Sequence, residues 1–184
     1  MSSLTPEWIT IISSFGLGSV ITFFLGCLRE WWSKESQKES EAAYLAMRLA
    51  VILEDFVVKC LYKSWHDEAV LNQGLVELEY SLPPLSPYPK DSDWKSLDLK
   101  LAGQVLSFEN EITAAAASCK FQGMWEGNKI ASADETIVAG VNAWKLAQSL
   151  REKYNLDGVT IAHLDSLKAA HRKIEQHRKE FADR

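Results

Sequence analysis

Residues 8–28 read WITIISSFGLGSVITFFLGCL, a run without a charged side chain or a proline. As an α-helix rising 1.5 Å per residue it would extend about 31 Å, close to the hydrocarbon thickness of a bilayer. The run is apolar on every face, whereas a helix at the surface of a globular domain keeps one polar face. A single transmembrane helix is therefore expected at residues 8–28.

The flanks agree. Thr5 can cap a helix, Pro6 suits the first helical position, where its missing amide hydrogen would go unpaired anyway, and Glu7 complements the positive helix end. Trp8 stands at one boundary of the span and Trp31 and Trp32 at the other, the level where indole rings meet both headgroups and acyl chains. No Lys or Arg precedes Trp8, while Arg29, Lys34 and Lys38 follow the span, so the positive-inside bias predicts an extracytoplasmic segment 1–7 and a cytoplasmic C-terminal part. The interleaved Glu30, Glu35, Glu39 and Glu41 count for little under that rule. The expected location is the inner or plasma membrane, single-pass, N-out and C-in. A cleaved signal peptide would need a basic n-region, a shorter apolar core and an A-x-A site just after it, and the N-terminal segment shows none of these.

Within the span Ser14, Gly18, Thr22 and Gly26 recur every four residues, which sets four small side chains along one ridge. Such a ridge lets helix backbones approach closely in lipid, where packing rather than hydrophobicity drives association. A homo-oligomer is one reading; the general abundance of Gly, Ser and Thr in membrane helices is the other.

The roughly 155 residues after the span are enough for one domain with its own core. A net charge of −5 over 184 residues argues against a dedicated nucleic-acid binder, which needs a concentrated basic surface. Three cysteines show no metal-like spacing and read as reduced thiols. Residues 29–41 are charged, without an apolar stripe, and are expected to form a juxtamembrane stalk or tether.

Residues 42–184 read as an all-α domain. In the first helix Leu45, Leu49, Ile52, Phe56 and Cys60 form one apolar line and Ala46, Ala50, Leu53, Val57 and Leu61 a second, with Glu54, Asp55, Lys59 and Lys63 on the remaining face. Helicity is expected to fade near Asn72. A proline-rich connector, residues 81–93, follows; Leu82, Leu85 and Tyr88 would tack it to the domain, and the alternative is a polyproline ligand for an aromatic groove. A shorter helix is predicted from about Trp94 to Leu106, and a separate one capped by Ser107 that uses Phe108, Ile112, Ala115 and Cys119. Ser132 to Glu135, reading SADE, is a capping box for a helix through about Tyr154 with Ile137, Val141 and Trp144 inward. NLDG gives a turn, and a last helix over 160–182 sets Leu164, Leu167, His171, Ile174, Arg178 and Phe181 on one seam. The expected fold is thus a single N-terminal transmembrane helix followed by a soluble bundle of about four main helices and a shorter one.

No phosphate loop, nucleophile elbow or Cys-x-x-Cys occurs, and no catalytic or metal-binding residues and no cofactor are predicted. His66, Asp67 and Glu68 are consecutive and point about 100° apart on a helix, so they cannot converge on one ion. His171 and Glu175 share a face but lack a third ligand. The one locally basic segment carries Lys168, Arg172, Lys173, Arg178 and Lys179, a candidate contact for anionic lipid or a partner, against the plainer reading of cations complementing a helix C-terminus. Together these features predict a membrane-anchored, non-enzymatic interaction or scaffold protein that self-associates or recruits an unidentified protein partner. The alternatives are a membrane-bound enzyme or sensor with a pocket built from His66, Asp67, His171 and Glu175, and an electrostatic reader of membrane or nucleic acid.

Overall fold

The computed structural model describes the backbone of residues 7–72, 81–125 and 129–182, with side chains from Ser36 onward except at residues 71, 122–132 and 181–182. The described chain is all-helical: α1 (Glu7–Asn72), a single 3-10 turn (Trp94–Ser96), α2 (Leu99–Trp125), α3 (Lys129–Lys153) and α4 (Leu164–Ala182). Two compact units arise, Met1–Glu41 and Ala42–Arg184.

In the first unit, residues 29–41 are helical within α1, and Gln37 donates to Glu41 one turn on, at 3.0 Å. Strong helix formers without Gly or Pro account for that continuity. The expected span at residues 8–28, its ridge Ser14, Gly18, Thr22 and Gly26, and the anchors Trp8, Arg29, Trp31 and Trp32 lie outside the described side chains. Among the described residues no helix is long and apolar enough to cross a membrane.

The second unit is built on the inner face of α1. Leu45, Leu49, Phe56 and Cys60, together with Ala46, Ala50, Leu53, Val57 and Leu61, are buried, and Ile52 packs at their edge. Each large side chain buried there contributes about 1.5–3 kcal/mol of transfer free energy. From α2, Leu101, Val105, Phe108, Ile112 and Cys119 join this core, and the Phe56 and Phe108 rings meet edge to face at 5.9 Å.

Helix α2 corrects the expectation of two helices divided at Ser107. Its apolar seam continues through that point at alternating four and three spacing, and Ser107 lies on the exposed side, where a serine costs a helix only a few tenths of a kcal/mol. The start also moves. Asp93 caps only the 3-10 turn, through the Lys95 amide at 3.0 Å, whereas Asp98 accepts from the Lys100 and Leu101 amides and opens α2.

Helix α3 presents small residues inward: Thr136, Ala139, Ala143 and Ala147 are buried, with Leu150 fully enclosed beyond them. A Cβ added at Gly140 would lie 3.0 Å from both Cys60 Cβ of α1 and Leu167 Cδ2 of α4. Three helices therefore converge at one residue without a side chain. The helix begins at Lys129, ahead of the capping box expected at Ser132, because Lys129, Ile130 and Ala131 contain nothing to stop it. Its C-terminus is closed by Asn155 in the left-handed region (φ 51°), with Leu156 N–H donating to Arg151 O at 2.9 Å and Asn155 N–H to Glu152 O at 3.4 Å. This Schellman arrangement explains why NLDG turns the chain.

Helix α4 begins at Leu164 rather than near residue 160. The β-branched run Val159, Thr160 and Ile161 is a poor helix start, and His163 at φ 61° makes the turn that precedes the helix. Leu164, Leu167, His171 and Ile174 face the core. The connector is ordered over residues 81–93: Leu82 and Tyr88 are buried, and the Tyr88 hydroxyl donates to Val105 O at 3.1 Å.

Candidate functional site

The polar face expected on α1 is split by the structure. Glu54 is buried, and its carboxylate takes a two-pronged bond from Arg151, Nε to Oε1 at 2.6 Å and Nη2 to Oε2 at 2.8 Å, both side chains 9 % exposed. Arg151 Nη1 also donates to Asp157 O beyond the end of α3. The hydrogen bonds Arg151 donates to Glu54, which outweigh the desolvation of the guanidinium, raise the Arg151 pKa above its ordinary value. A fork of donors meeting two carboxylate oxygens is the strongest form of this pair. Its partners stand 97 residues apart, and periodicity carries no signal for such a pairing.

Asp55 and Lys59, by contrast, stay at the surface, paired at 2.7 Å, and Ser86 of the connector donates to Asp55 and accepts from Lys59. Arg48 reaches the same connector at Asp91 (3.4 Å) and Ser92 (3.3 Å). The proline segment is thereby held along one flank of α1.

Beside that flank lies a row of large apolar side chains that stay largely exposed among the described residues, Tyr62 and Trp65 at its far end bordering the connector and His163. Tyr44 is 59 % exposed, Met47 41 %, Val51 53 %, Tyr62 65 % and Trp65 39 %, with Val58 half-buried among them. At the far end the rings of Tyr62 and Trp65 meet edge to face, as do Trp65 and His163. This row is what sequence reasoning missed. Attention to the charged residues of α1 hid the apolar ones interleaved with them.

Chemistry-bearing groups are dispersed. Asp67 is buried and paired with Lys63 at 3.0 Å, with His66 Nδ1 at 3.7 Å. His171 is buried on α4 and lies 3.9 Å from Glu175. His66 lines a groove of about 420 Å³ with Lys59, Lys63, Ser81 and Pro83, and neither His171 nor Glu175 belongs to it. Among the described residues no three His, Cys, Asp or Glu side chains gather to hold a metal ion. Burial pushes the Cys60 thiol up to about 12, which keeps it protonated and unreactive at neutral pH. A second open groove of about 580 Å³ runs between α2 and α3, lined by Lys100, Gln104, Glu111, Asn142 and Lys145.

The basic segment of α4 is partly committed. Arg178 donates to Glu135 at 2.9 Å, Lys168 sits 5.5 Å over the Trp144 ring, and Arg172, Lys173 and Lys179 are exposed. Compared with protein-family models, with curated proteins and with solved structures, the chain matches none.

Proposed function

We propose that this chain is a membrane-anchored, non-enzymatic interaction protein whose helical domain, held at the cytoplasmic face by residues 8–28, makes protein contacts through the outer side of α1. The observation that carries the reading is the row Tyr44, Met47, Val51, Tyr62 and Trp65, exposed on a helix whose opposite side is fully packed. Contiguous apolar surface of this kind on a folded domain marks an interaction site. The uncharged run at residues 8–28 supplies the anchor, and anchoring concentrates copies in a plane, so that modest contacts suffice for assembly.

Two measurements on the full chain test this. Alkaline extraction of membranes should leave the chain in the pellet, and recovery in the supernatant removes the anchor. Crosslinking in the membrane should give oligomers or a captured partner, and Gly18→Ile with Gly26→Ile reports whether the small-residue ridge contributes; a chain that is monomeric and partnerless in the bilayer sinks the proposal. Exposed Arg172, Lys173 and Lys179 favour a secondary contact with anionic headgroups of the same membrane, each worth about 1 kcal/mol near the surface. That contact predicts domain binding to anionic vesicles that weakens as salt rises.

A further inference from the structure

We propose that the outer face of α1 pairs with the same face of a second copy of this chain, the two helices running parallel and in register; this rests on the membrane-anchored reading above. Tyr44, Val51, Val58 and Trp65 recur at intervals of seven residues, with Met47 three residues after the first. A straight helix drifts about 20° per heptad, so a line of this period stays in contact only by supercoiling gently against another helix. Val51 and Val58, β-branched side chains with little rotamer freedom to lose, hold the two central places of the line.

The second apolar line of a full coiled coil would fall at Glu54 and Leu61, and both are buried in the domain core. The pairing surface is therefore one line wide. From their exposed fractions these five residues present on the order of 500 Å² per copy, so a pair would bury at most about 1,000 Å², the lower limit for a specific interface. Such a contact is weak in solution and sufficient between tethered copies. A tether joined to the Ala42 end of every copy starts each face at the same level, which selects the parallel arrangement. The rim does not oppose it: Asp55 and Lys59 neutralise each other and Arg48 is paired with Asp91, so no row of like charge meets its own copy.

The test uses the full chain in its membrane with Cys27→Ser, since Cys60 and Cys119 are buried. Under mild oxidation Tyr44→Cys and Val51→Cys should each form disulfide-linked dimers, and Glu111→Cys on α2 should not. Val51→Asp should cut the dimer yield at Tyr44→Cys at least tenfold and leave the domain's melting temperature unchanged. If Tyr44→Cys and Val51→Cys stay monomeric, the self-pairing is overturned. Protection of Val51→Cys from a water-soluble maleimide without dimers then assigns the face to another protein or to the bilayer. An antiparallel pair, crosslinking Val51→Cys only to Val58→Cys, also overturns it. The anchored reading fails by a different readout, release from membranes by alkaline extraction, so the two outcomes are distinguishable.

Discussion

The two sides of α1 within the domain carry similar apolar side chains and have opposite fates. Inward, Leu45, Leu49, Leu53 and Phe56 are sealed in the core, Phe56 against Phe108 of α2; outward, Tyr44, Met47, Val51 and Tyr62 stay exposed. Apolar character alone thus does not say which side is core. What decides is the partner: alanines and a glycine on α3 let the inner side approach closely, and a bidentate ion pair fixes the register of that approach.

The most severe way to break the inner side is to orphan one charge. Arg151→Met leaves the Glu54 carboxylate buried without a partner and should destabilise the domain by about 3–5 kcal/mol in denaturant unfolding. Glu54→Leu combined with Arg151→Met should recover most of that loss, since two apolar groups replace the pair; additive losses in the double variant would show that the pair is not coupled. Phe56→Ala should cost about 3–5 kcal/mol, whereas Tyr62→Ser on the outer side should change stability by less than about 0.5 kcal/mol and act only on assembly. This contrast is the sharpest form of the comparison.

Smaller effects follow. Gly140→Val must displace Cys60 and Leu167, and overpacking of this kind costs about 1–3 kcal/mol, read as a lower melting temperature. Tyr88→Phe removes one buried hydrogen bond, about 1 kcal/mol, and loosens the connector. The smallest concerns Asp134. Burial raises its carboxyl above the ordinary value, Arg178 and His177 pull it down in part, and Glu135 adds to the rise. The folded state thus holds that proton more tightly than the unfolded chain. Its contribution favours folding below the ordinary carboxylate pKa and is lost as pH rises through the folded value. Asp134→Asn should raise the melting temperature at neutral pH and leave it nearly unchanged in acid.

Much of the domain is legible in its sequence. The two inward lines of α1, the seam of α4 from Leu164 to Ile174 and the turn at NLDG depend on local spacing, and local spacing survives folding; Arg178, expected on the same seam, is exposed and pairs with Glu135 instead. No break falls at Ser107, because a capping residue signals a helix start only where the apolar seam also restarts, and here the seam runs from Leu101 to Cys119 without a shift. Spacing alone places Glu54 at the surface beside Asp55, and the guanidinium that buries it comes from another helix. The outer row is faint in the sequence because its period is seven and its members are separated by charges. Residues 8–28 remain a reading of composition.

The 97-residue separation of Glu54 and Arg151 also has a meaning in time. Chains are made at about 5–20 residues per second, so α1 waits on the order of 5–20 s before α3 can cover it. Helix α2 is made first and can cover part of the inner side, but the Glu54 carboxylate stays unmatched until Arg151 follows. The inner side carries an unmatched carboxylate in its middle; the outer carries none along its line. Burying Glu54 without a guanidinium is strongly unfavourable. The charge that later locks the domain thus opposes complete burial of the inner side until α3 is made.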